Sequence, residues 1–147
     1  MARTSGPERV ENMVKVLRGW QALERKAMSD TAELMEKTHS PLIRMIMAII
    51  RHDSLMHHQV QQFLIDSVTE ESITVSREDV AEIWEAIEEH DRLEKKTIEL
   101  ATELKANAWS AVHKQLLDYL LTDESKHDRL LTQLNDIKRD MTGASGA

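Results

Sequence analysis

The chain contains no cysteine, which excludes disulfides, thiolate metal sites and iron–sulfur clusters while leaving the compartment open. It has four glycines and two prolines in 147 residues, too few for the many turns of an all-β fold. Aromatics make up 3% of the chain, so aliphatic residues and eight methionines have to fill most of any core. Positive charge is in deficit: the formal net charge is −7, and no basic run with interleaved aromatics occurs. Binding to nucleic acid or to an anionic membrane surface is therefore not expected. The longest apolar run, LIRMIMAII, is broken by Arg44 and too short to span a bilayer. The opening MARTSGPER has no apolar leader segment, and a cytoplasmic protein is expected.

What the chain does have is helical periodicity. Residues 1–7 and 141–147 are small, polar and glycine-bearing, and both are expected to be disordered tails. Between them, from 8 to 140, apolar residues recur at steps of three and four and mark four long helices. The first carries Val10, Val14, Leu17, Glu24, Met28 and Leu34 near one stripe. The second follows Ser40-Pro41, a capping serine and a proline suited to a first helical turn, and carries Leu42, Ile46, Ile49, Asp53, Met56, Val60, Phe63 and Ser67. The third begins near Ser76 with acidic Glu78 and Asp79, and its stripe holds Val80, Ile87, Glu94, Ile98 and Ala101. The fourth follows a second capping serine, Ser110, and carries Leu116, Leu120, Asp123, His127, Leu130, Leu134 and Ile137.

The two halves match without gaps at an offset of 70 residues: LERKA at Leu23 with LEKKT at Leu93, Ser40 with Ser110, Asp53 with Asp123, His57 with His127, Leu64 with Leu134. Caps, apolar positions and polar positions repeat in one register, as in a duplicated antiparallel helical hairpin. The hairpins are expected at 8–68 and 77–140. The connection at 68–76, at about 3.3 Å per extended residue, is long enough for a crossover that carries the chain back along a bundle.

Seven polar residues fall on or beside the apolar stripes: Glu24, Asp53, His57, Glu94, Asp123, Glu124 and His127. Burying carboxylates costs several kcal/mol each unless they are paired, hydrogen-bonded or bound to metal, so the seven need a shared explanation. Counted from the turns near His39 and Trp109, Glu24, Ser54, Glu94 and Glu124 each stand about fifteen residues away. At 1.5 Å per residue this puts all four near mid-height.

At these positions the sequence resembles the ferritin-like family, whose di-metal members place one Glu on each of two helices and Glu-x-x-His on each of the other two. Glu24 and Glu94 match the single glutamates, and Glu124-Ser-Lys-His127 matches the motif of the fourth helix. The second helix offers Ser54-Leu-Met-His57, with serine where the family has glutamate. The resemblance implies an all-α, ferritin-like four-helix bundle. It also implies metal ligands Glu24, His57, Glu94, Glu124 and His127, with Asp53 and Asp123 hydrogen-bonding the ligand histidines. Ser54 and His90 would stand just behind this set, His90 one turn before Glu94. Because Ser54 removes one carboxylate, the set suits one Fe ion, with Mn or Zn as alternatives, or an asymmetric pair, better than a full di-iron centre.

Two functions from different classes follow. The first is a metal-binding protein, an iron or manganese oxidoreductase or iron-handling protein. The second is a metal-free scaffold of the same fold acting through oligomerisation, with a dimer favoured, or through partner binding. An iron-storage cage subunit ranks below both, because nothing in the chain specifies cage contacts. A hemerythrin-like site is disfavoured: His90-x-x-x-Glu94 and His113-x-x-x-x-Asp118 imitate parts of its pattern, but its His-x-x-x-His element is missing.

Overall fold

The computed structural model describes residues 6–143, with side chains through 140. The chain is all-α, a four-helix fold: α1 (Gly6–Lys37), α2 (Pro41–Thr69), α3 (Arg77–Asn107) and α4 (Ala111–Gly143). No strand occurs among the described residues. The helix pairs that such a fold requires are formed, α1 packing on α2 and α3 on α4. By contacts the chain divides into two compact units, residues 1–74 and 75–147, each holding one hairpin. No helix among the described residues is long and apolar enough to cross a membrane.

Local signals set the helix ends. Ser40 is the N-cap of α2, its hydroxyl accepting from Ile43 N at 3.4 Å, with Pro41 in the first turn, where its missing N–H costs nothing. Ser110 repeats the arrangement, its hydroxyl accepting from His113 N at 3.4 Å. The next bond repeats too: Arg44 N donates to Ser40 O and Lys114 N to Ser110 O, both at 3.0 Å. At α3 a full capping box forms. Ser76 Oγ accepts from Asp79 N, and Asp79 Oδ2 accepts from Ser76 N, each at 3.0 Å.

The boundaries differ from expectation at three places. α1 begins at Gly6, so Gly6 and Pro7 are helical, a first turn tolerating proline. α4 continues to Gly143, because no breaker intervenes before that glycine. The remainder of the two expected tails, residues 1–5 and 144–147, lies outside the described residues. α2 runs to Thr69, leaving 70–76 as the connection.

The larger difference concerns which helix face is buried. Between α1 and α2 the buried side chains are Leu17, Gln21, Glu24 and Thr31 against Ser54, Gln61 and Ile65, so most of this seam is polar. Between α3 and α4, among the described residues, only Glu94 and Ala101 are buried. The expected α2 stripe, including Leu42, Ile46, Met56, Val60 and Phe63, is exposed instead, as are Val10 and Leu34 of α1 and Leu120, Leu130, Leu134 and Ile137 of α4. A two-helix hairpin has one contact line, and on α2 that line lies one residue further on, about 100° around the helix. The bulky stripe lies beside it.

Candidate metal centre

The glutamates occupy the seams and the histidines stand at their edges. In the α1–α2 hairpin, Glu24 and Ser54 are both buried. His57, with its side chain 59% exposed, brings Nδ1 to 3.3 Å from Glu24 Oε1. The buried Gln61 donates through Nε2 to the same oxygen at 3.4 Å. One turn away, Gln21 is fully buried and donates through Nε2 to His58 O at 3.3 Å and to Gln62 Oε1 at 3.1 Å. His58 sets Nε2 3.2 Å from the Arg25 guanidinium in an exposed contact between the two helices.

In the α3–α4 hairpin the equivalent place is richer in charge. Glu94 is only 8% exposed. One of its oxygens, Oε1, lies 2.9 Å from His90 Nε2. The other, Oε2, is buried without a hydrogen-bond partner, and His127 Nδ1 stands 3.5 Å from it. Glu124 completes the group: its Oε2 is 3.8 Å from His127 Nδ1 and accepts from Thr97 Oγ1 at 2.9 Å. One ligand atom from each of Glu94, Glu124 and His127 lies within 4.8 Å of the others.

Two carboxylates facing each other across a seam cannot both stay ionised cheaply. The facing Glu94 carboxylate, aided by burial, raises the Glu124 pKa, while the interaction with Glu124 lowers that of Glu94, further helped by His127 and His90 and opposed by burial. A second such pair lies one turn along: hydrogen bonding to Asp91 raises Asp128, and the bond from Asp128 lowers Asp91, whose Oδ2 also holds Lys95 Nζ at 3.0 Å. The oxygens Asp91 Oδ1 and Asp128 Oδ1 are buried and without hydrogen-bond partners.

Of the residues expected from the sequence, the structure therefore brings Glu24 to His57 in one hairpin and Glu94, Glu124, His127 and His90 together in the other. Asp53 is half-buried. Asp123 takes Lys126 Nζ at 3.1 Å. Burial pushes its pKa up, but Lys126 and the Tyr119 hydroxyl outweigh this and leave it lowered. Asp91, Asp128 and Thr97 went unrecognised in the sequence. Their signal is their place in the seam: Asp91 stands one turn before Glu94, and Asp128 one turn after Glu124.

No protein-family model matches the chain, and no curated protein and no solved structure matches it either.

Proposed function

We propose that the protein binds a divalent metal ion through Glu94, Glu124 and His127, on a scaffold of ferritin-like type. The observation that carries this reading is Glu94 Oε2, a carboxylate oxygen buried without a hydrogen-bond partner and set between Glu124 and an imidazole nitrogen. An unsatisfied buried carboxylate is costly, and a cation at this point would satisfy it. Two carboxylates also balance the charge of a divalent ion, and mixed oxygen and imidazole donors suit Fe(II), Mn(II) or Zn(II). An oxidoreductase or iron-handling role is the finer form of the proposal.

The test is elemental analysis of protein purified without a metal-affinity tag, before and after addition of Fe(II), Mn(II) or Zn(II), beside Glu124→Ala/His127→Ala. Stoichiometric metal that the double variant loses supports the reading and opens assays of O2 and peroxide turnover. No metal in either protein rejects it.

A second reading is favoured by the exposed apolar side chains, among them Trp20, Leu23, Phe63, Leu93 and Leu104. Surface of this kind marks association. In that reading the protein is a metal-free scaffold acting through oligomerisation, a dimer first, or through a protein partner. Light scattering of the metal-free protein distinguishes a monomer from an oligomer.

A further inference from the structure

The two hairpins repeat each other in register, yet their polar seams have diverged in one direction. At the 70-residue offset, Glu24 and His57 keep their identity as Glu94 and His127. Around them His90 stands where the first hairpin has Trp20, Asp91 where it has Gln21, Glu124 where it has Ser54, and Asp128 where it has His58. Every one of these differences puts a carboxylate or an imidazole at the second hairpin's site that the first lacks, except His58, which is spent on Arg25.

The geometry follows the chemistry. Glu24 Oε1 is taken by the Gln61 amide and by His57, and the buried Ser54, at the position matching Glu124, offers only a neutral hydroxyl. A cation approaching Glu24 on that side meets the hydrogens of an amide group, whose orientation is dictated by the carboxylate beside it. Leu131 occupies the place of Gln61 in the second hairpin and presents no such donor. There, His90 engages Glu94 through Oε1 alone, which pins the carboxylate and leaves Oε2 turned to Glu124 and His127. Carboxylate–imidazole contacts of this kind fix a metal-binding group before the ion arrives.

We propose that metal binding belongs to the α3–α4 hairpin alone, with His90 as the residue that positions Glu94, and that the matching place in the α1–α2 hairpin is a hydrogen-bonded counterpart closed to metal. This rests on the reading of Glu94, Glu124 and His127 as ligands and adds to it the stoichiometry and a positioning role.

The experiment titrates full-length, metal-free protein with Co(II), following its visible absorption and the heat of binding, with far-UV circular dichroism to check folding. The wild-type chain takes one equivalent. Glu24→Gln and His57→Asn keep that equivalent and its spectrum, whereas Glu94→Gln, and the more exposed His127→Asn, lose it. His90→Asn weakens binding about tenfold at unchanged stoichiometry, and His90→Gln, which extends an amide donor toward Glu94, recovers part of the loss. Two equivalents in the wild type, or loss in Glu24→Gln as complete as in Glu94→Gln, overturns the confinement to one hairpin. Unchanged affinity in His90→Asn overturns the positioning role. Absence of any Co(II) binding by the folded wild type rejects the metal reading itself, which separates that failure from the others.

Discussion

His57 and His127 turn the same ring nitrogen, Nδ1, toward the glutamate of the facing helix: 3.3 Å to Glu24 Oε1 in one hairpin, 3.5 Å to Glu94 Oε2 in the other. The repeat thus preserves a cross-helix contact as well as a sequence pattern. What differs is the residue that shares the glutamate with the histidine, an amide in the first hairpin and a second carboxylate in the second. Several outcomes turn on that difference.

Placing the second carboxylate back into the first hairpin should reproduce the strain of the second. Ser54→Glu adds a carboxylate to the seam of buried Glu24, whose Oε1 already has Gln61 and His57 beside it. Breaking the charge balance of a buried site costs about 3 kcal/mol. The variant should melt at a lower temperature than wild type at pH 8. Equal melting temperatures at pH 8 would show that position 54 is wetter than its burial indicates.

Thr97 has one hydroxyl proton and two acceptors near it, Glu94 O at 2.7 Å and Glu124 Oε2 at 2.9 Å. Thr97→Val keeps the shape and removes the hydroxyl. Groups that orient a ligand carboxylate are worth roughly 10–100-fold in metal affinity, so Co(II) binding should weaken within that range while the helix content stays constant. An unchanged binding isotherm would remove Thr97 from the site.

The capping box at Ser76 gives a pH dependence whose sign is fixed. Hydrogen bonds from the Ser76 backbone N–H and hydroxyl hold Asp79 below the usual carboxylate range. A depressed folded-state pKa means stability that is present above the unfolded value, about 4, and lost as pH falls through the folded one. The carboxyl-carbon NMR shift of Asp79 should therefore titrate below that of an ordinary aspartate and move back toward it in Ser76→Ala. The same substitution should cost about 1 kcal/mol at pH 7 through loss of the cap.

Ile65 is fully buried, and Phe63 on the same helix is 59% exposed. Ile65→Ala should cost about 2–4 kcal/mol in chemical denaturation. Phe63→Ala should cost much less in a monomer, and a comparable loss there would show that Phe63 is covered in solution.

The sequence made some of this legible and hid the rest for physical reasons. Ser40, Pro41, Ser76 and Ser110 act on the backbone within three residues, so the helix starts could be read directly. The spacing of Glu124 and His127 sets them on neighbouring faces of one helix, and the repeat pointed to Glu94 as their partner. Which face of α2 meets α1 was not legible. The apolar pattern Leu42, Ile46, Met56, Val60 and Phe63 is the stronger periodic signal, yet the contact line runs through Ser54, Gln61 and Ile65. Hydrophobic periodicity marks the most apolar face of a helix, and here the contact line lies beside that face. Asp91 and Asp128 escaped notice for a related reason. An aspartate among charged neighbours reads as solvated until the facing helix is known.

The pairing of neighbouring helices also bears on how the chain reaches its structure. In each hairpin only three residues separate the helices, 38–40 in one and 108–110 in the other. Contacts between helices so close in sequence require little loop closure, and folding rates rise as contacts become more local. Synthesis proceeds from the N-terminus, so α1 and α2 can associate on the ribosome before α3 has emerged. The carboxylate pairs of the later hairpin would then form last.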